Sequence, residues 1–137
     1  MIAEMRKRCL QWGCIKCCLT TEMPLNSEDI ARIEDLGFES FFIVKRNGMR
    51  QLKNSLGRCV FHNGQRCTIY SDRPEGCRLY PAIFDADRAK IILDRHCPHH
   101  AKFQLTAHVS CQLIRLVQEL EVERKRSVRS GVKAREE

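Results

Sequence analysis

The chain lacks any run approaching the roughly 18 consecutive apolar residues that cross a bilayer. It also lacks an apolar stretch of signal-peptide length behind the early charges of "MIAEMRKRCLQW". There is no Gly-rich phosphate loop, no Ser–His–Asp pattern, no internal repeat and no low-complexity linker. These absences predict a cytoplasmic protein without membrane insertion. That compartment is reducing, and stable disulfides are rare there. At 137 residues one domain is expected. The 43% hydrophobic and 30% charged composition fits a folded globular chain rather than a disordered one.

Against these absences stands one excess. There are nine cysteines, at Cys9, Cys14, Cys17, Cys18, Cys59, Cys67, Cys77, Cys97 and Cys111. The odd number argues against a fully paired disulfide framework. "CIKCC" puts three thiols into five residues, and adjacent Cys17 and Cys18 would form only a strained disulfide with each other. Metal ligation is the better reading. A thiolate is a soft, charged donor that suits zinc and iron–sulfur clusters. A tight Cys-x-x-Cys turn lets two sulfurs reach one metal. If helical, Cys14, Cys17 and Cys18 share one face. In a knuckle two bind and the third turns elsewhere. The spacing is not that of a zinc ribbon.

Local patterns predict the scaffold. "PLNSEDIARIEDLGF" reads as a helix with Asn26 as N-cap, Asp29 at the third helical position and a Leu25–Ile30 staple. Ile30, Ile33 and Leu36 form its apolar stripe, and Gly37 ends it. "SFFIVKRNGMRQLK" reads as a hairpin turning at Asn47-Gly48. "CVFHNGQRCTIY" reads as a second hairpin. A three-residue loop with left-handed Gly64 would set Cys59 directly opposite Cys67, their Cβ atoms about 4.5–5.5 Å apart. Pro74 and Gly76 break regular structure before a short turn that presents Cys77. "KIILD" is a strand. From Pro98 to about residue 126 the chain reads as helical, with Leu105, Val109, Leu113, Leu116 and Leu120 on one stripe. Cys111 falls off that stripe and reads as a surface thiol.

"CIKCC", "CVF", "CTIYSDRPEGCRLYP" and a later Cys97 together resemble the YkgJ-type cysteine-cluster family, a zinc- or iron-chelating domain named for its CxxCxxCC pattern. The resemblance spans roughly residues 9 to 100. Its most specific block here is Cys67, Thr68, Ile69, Tyr70, Arg73, Pro74, Cys77, Arg78, Tyr80 and Pro81. It implies metal ligands at Cys14, Cys17, Cys18, Cys59, Cys67 and Cys77, with Cys97 and Cys9 less directly matched, since four residues separate Cys9 from Cys14 where the family pattern has two. The implied cofactor is zinc or iron, a 4Fe-4S cluster included. Flagellin lysine methylases are distantly similar over the same region, which points to redox or methyl-transfer chemistry.

The expected fold is a small metal-stabilised α+β domain with short hairpins and a long C-terminal helix. Residues 1–120 would form the cysteine-cluster domain and 121–137 a charged helix end and tail. Arg73 and Arg78 flank Cys77; they either balance an anionic thiolate centre or pair with Asp72 or Glu75. Of the five histidines, His96 and His99 stand nearest Cys97. Tyr70 and Tyr80 read as core or site-shielding aromatics. The net charge is +7, and several of the positive charges sit in "ERKRSVRSGVKAREE", mixed with Glu, which reads as a solvated tail. Three functions follow: a metal-binding protein with a redox role if the metal is iron, a zinc-stabilised module binding nucleic acid or protein, and a metal-dependent enzyme.

Overall fold

The structure, a computed structural model, describes residues 18–131. Cys9, Trp12, Cys14 and Cys17 therefore lie outside the described residues, as does the end of the tail. Along the chain run helix α1 (Ser27–Asp35), strands β1 (Phe42–Val44), β2 (Arg50–Leu52), β3 (Asn54–Ser55) and β4 (Arg58–Cys59), the short helix α2 (Glu75–Leu79), strands β5 (Ala82–Asp85) and β6 (Lys90–Leu93), and the long helix α3 (Ala107–Arg129). Short 3₁₀ turns occupy Tyr70–Asp72 and His100–Lys102. The strands form three separate antiparallel pairs, β1–β2, β3–β4 and β5–β6. This is an α+β fold.

α1 begins at the predicted capping box. The Asn26 side chain accepts from the Asp29 amide at 2.7 Å, and Asp29 Oδ2 accepts from the Asn26 amide at 3.3 Å. Leu25 and Ile30, the staple pair, are both buried with Ile33. Leu36 is not part of that stripe: it is the C-cap residue and 47% exposed. The chain has already left helical phase there, and Gly37 follows at φ +97°.

The β1–β2 hairpin turns through Arg46-Asn47-Gly48, closed by the Lys45 amide donating to the Met49 carbonyl at 2.9 Å. Gly48 sits at φ +89°, and a Cβ there would lie 2.4 Å from the Arg124 carbonyl of α3. Glycine thus serves both the turn and its close approach to the helix. The polar face of α3 grips this region from the same side. Arg124 donates to the Asn47 carbonyl, while Glu123 accepts from Arg50 and from the Ser27 amide at the start of α1.

Two cores result. One gathers Leu25, Ile30, Ile33, Phe41, Leu52, Cys59, Phe61 and Ile69. The other packs Val109, Leu113, Leu116 and Leu120 of α3 against Leu79, Ala82, Cys97 and Phe103. The α3 stripe matches expectation from Val109 onward, but the helix starts at Ala107 rather than near Pro98. Thr106 caps it, accepting from the Val109 amide at 3.2 Å. Residues 98–105 instead form a 3₁₀ turn and an extended link, so Leu105 is outside the helix and 38% exposed. α3 runs without interruption past residue 121 to Arg129. No helix among the described residues is long and apolar enough to cross a membrane.

Candidate metal centre

The segment after "CIKCC" is pinned to β3 and β4. Leu19 bridges Arg58 in antiparallel fashion, and the Thr20 amide donates to the Gly57 carbonyl at 2.9 Å. Asn54 completes the attachment with a reciprocal pair: its Oδ1 accepts from the Thr21 amide and its Nδ2 donates to the Thr21 carbonyl, both at 2.9 Å. Cys18 lies just before this bridge, in a 3₁₀ turn, and Cys59 just after it on the other side.

Cys67 has a different neighbour from the one predicted. Within the β3–β4 pair Cys59 is opposite Asn54, not Cys67. After Cys59 the chain reverses at once, with the His62 amide donating to the Cys59 carbonyl at 2.8 Å. Cys67 then bridges His62 across a four-residue loop, 63–66. The reason is the Asn63 side chain, whose Oδ1 accepts from the amides of Gln65 and Arg66 and builds a wider turn than a three-residue loop allows. Gly64 does take the left-handed conformation, at φ +101°.

Cys77 is carried by α2, whose position is set from α1. Asp29 is 1% exposed; its Oδ1 accepts from the Glu75 amide at 3.1 Å and from Arg32 at 3.0 Å. Arg32 in turn donates to the carbonyls of Asp72 and Arg73. This Asp29–Arg32 clamp holds the stretch from Asp72 to Glu75 that leads into the Cys77 turn. Sequence reasoning saw Asp29 only as a cap. The spacing of Asp29 and Arg32 at i, i+3 is the signal that was present, and the carbonyls they reach lie some forty residues away.

Cys18, Cys67 and Cys77 are partly buried and pack against the same core that contains buried Cys59. Cys97 is buried in the other core, on the α3 side. His100 Nδ1 donates to the Cys97 carbonyl at 2.9 Å, since a carbonyl oxygen can only accept. Cys111 is an exposed thiol, as predicted. Among the described residues no three His, Cys, Asp or Glu side chains form a group that could hold a metal ion.

The two arginines differ. Arg78 donates through Nε to the Arg73 carbonyl at 3.1 Å, which fixes the backbone of its own turn. Arg73 is buried and stacks on Tyr70, its guanidinium carbon 3.8 Å from the ring centroid. The salt bridges of the described residues do not include Arg73, so the pairing with Asp72 or Glu75 is not made. Tyr80 donates its hydroxyl to Asp94. His62 is buried too; desolvation, then the positive charge of Arg58, holds its pKa below the usual value.

A model of the CxxCxxCC proteins, described as "Putative zinc- or iron-chelating domain", matches residues 8–112, well over half the chain. The chain belongs to this family. The match begins before Cys9 and ends after Cys111, so all nine cysteines fall inside it. No curated protein and no solved structure is significantly similar. Metal chelation is thus the family's described property, and the donor chemistry fits it. Soft thiols belong to or pack against one core, and among the described residues buried nitrogens of His62 and Arg73 lack hydrogen-bond partners.

Proposed function

We propose that this chain holds a zinc or iron centre, an iron–sulfur cluster included, through Cys14, Cys17, Cys18, Cys59, Cys67 and Cys77, with Cys97 and Cys9 as further thiols. The observation that carries the reading is that Cys18 of "CIKCC", Cys67 and Cys77 pack against the one core that contains Cys59, with the end of "CIKCC" tied there by the Leu19–Arg58 bridge. The described cysteines do not close a site among themselves, so Cys14 and Cys17 supply the remaining donors. Iron would bring one-electron chemistry, and zinc would bring structural closure. Arg73 and Arg78 sit beside the Cys77 turn and offset the negative charge that several thiolates impose on the metal. A reducing cytoplasm would keep such thiols available.

The test is metal and acid-labile sulfide per chain, with the visible spectrum, on protein purified without oxygen. The same measurements are made on Cys59→Ser. Stoichiometric zinc, or iron with sulfide, that is lost in the variant is the expected result. Metal-free wild-type protein that folds normally would end the proposal.

One observation favours an enzymatic second reading. Leu19 and Gly76, chain neighbours of Cys18 and Cys77, line a groove of about 900 Å³ with Met23, Tyr80, Asp94 and Glu121. A substrate seated there would lie close to the thiols. A Tyr80→Phe variant that keeps its metal but loses a redox or methyl-transfer activity would support this reading; an activity insensitive to changes in the groove would remove it.

A further inference from the structure

Among the described residues, two buried nitrogens lack hydrogen-bond partners: Nε2 of His62 and Nε of Arg73, in residues that are each 6% exposed. Arg73 Nε always carries a proton, so it is a donor. For His62 the neighbours decide. The Gly64 amide donates to Nδ1 at 3.0 Å, so Nδ1 presents a lone pair and the ring proton sits on Nε2. The same bond argues against His62 as a metal ligand. Ligation through Nε2 would move the proton to Nδ1, where the Gly64 N–H already points. Both groups are therefore buried N–H donors in want of an acceptor, and a buried guanidinium without an ion pair wants an anionic one.

Both are tied to one cysteine. His62 bridges Cys67 directly. The Tyr70 amide donates to the Cys67 carbonyl at 3.3 Å, and Arg73 stacks on the Tyr70 ring. A cysteine that loses its proton on binding metal becomes the anionic acceptor that the two donors lack.

We propose that His62 and Arg73 donate hydrogen bonds to the metal-bound thiolate of Cys67, so that they tune this sulfur rather than hold the ion. The proposal rests on the metal-centre reading above. Each N–H···S bond draws electron density from sulfur. The thiolate becomes less nucleophilic, and an iron centre becomes easier to reduce.

The test loads the full chain with the spin-active isotope of cadmium and reads NMR couplings. Cadmium coupled to cysteine β-protons reports ligation. Coupling passed through sulfur to the His62 ε2 proton and the Arg73 ε proton reports the proposed bonds. Both sets of couplings are expected. Cysteine couplings without either N–H coupling would overturn this inference and leave the metal reading standing; no cysteine coupling at all would overturn both. A second measurement uses iodoacetamide on the cadmium-loaded protein. His62→Phe and Arg73→Met should keep their cadmium and be alkylated about tenfold faster, as expected for losing a hydrogen bond to a charged group. His62→Gln, which retains a donor, should restore most of the protection. Equal alkylation rates in wild type and both donor-deleted variants would count against the inference.

Discussion

The two cores of this molecule are built on different terms. The α3 core is apolar and self-sufficient: a capped helix lays Val109, Leu113, Leu116 and Leu120 on a four-residue-per-strand hairpin, with Leu79, Ala82 and Phe103 filling the contact. The cysteine-side core is framed by strands of two or three residues, a capped helix and side-chain-to-backbone hydrogen bonds. It also contains buried donors with nothing to donate to. Hydrophobic burial completes the first region. In the second, partly buried Cys18, Cys67 and Cys77 pack against the apolar residues, where the proposed metal would add its bonds. The difference teaches that apolar side chains close one core, while the other sets thiols against its apolar residues and leaves buried polar nitrogens beside them.

Metal removal should separate the two regions most sharply. Structural zinc supplies about 10–16 kcal/mol of apparent binding free energy, as much as a whole domain's stability of about 5–15 kcal/mol. Chelation is expected to abolish amide-exchange protection around residues 54–77 while Val109 to Leu120 retain part of theirs. An unchanged cooperative melt after chelation would break the comparison. The complementary change is Leu113→Ala, which opens a cavity in the α3 core and should cost about 2–5 kcal/mol without altering metal content. Loss of metal in that variant would mean the cores are one energetic unit.

Asp29→Ala probes the join between α1 and the Cys77 turn. It removes the capping-box partner, the Arg32 ion pair and the acceptor for the Glu75 amide. A loss of about 2–3 kcal/mol in thermal or denaturant unfolding is expected, with weaker metal binding because α2 is no longer held. Tight metal binding by a destabilised Asp29→Ala would show that the clamp serves stability alone.

The smallest effect is electrostatic. Burial, then the carboxylates of Asp29, Glu119 and Glu28, push the Glu75 carboxyl above its usual range, with Arg115 opposing. A raised folded-state pKa favours the protonated native form, so its contribution is full below the usual carboxylate range. It is lost as pH rises through the folded value. Glu75→Gln should therefore stabilise by a few tenths of a kcal/mol near neutral pH for this partly exposed group. The gain should vanish in acid; a gain that grew on acidification would contradict the stated cause.

What could be read without coordinates was whatever is encoded within a few residues. The capping box at Asn26 and Asp29, the Asn47-Gly48 turn, the Val109–Leu120 stripe and the exposed Cys111 all depend on near neighbours. So does the soft, thiol-rich character of "CIKCC", which the family match supports. Local signals also misled where a nearby side chain competed: Asn63 widened the loop that was to face Cys59 with Cys67, and Thr106 moved the start of α3. The β5–β6 hairpin escaped notice because "AIFD" is too short to show alternation.

By itself the sequence determined an α+β chain of a zinc- or iron-chelating family, because residue type and short-range spacing are enough to fix both. Only the tertiary structure decided that Cys18 packs against the core of Cys59, that Cys97 belongs to the other core, that Asp29 and Arg32 reach across to the Cys77 turn, and that His62 and Arg73 are buried donors. Each of these joins residues far apart in the chain. Such pairings carry no local pattern; they arise only when loop closure, burial and hydrogen-bond satisfaction are resolved together.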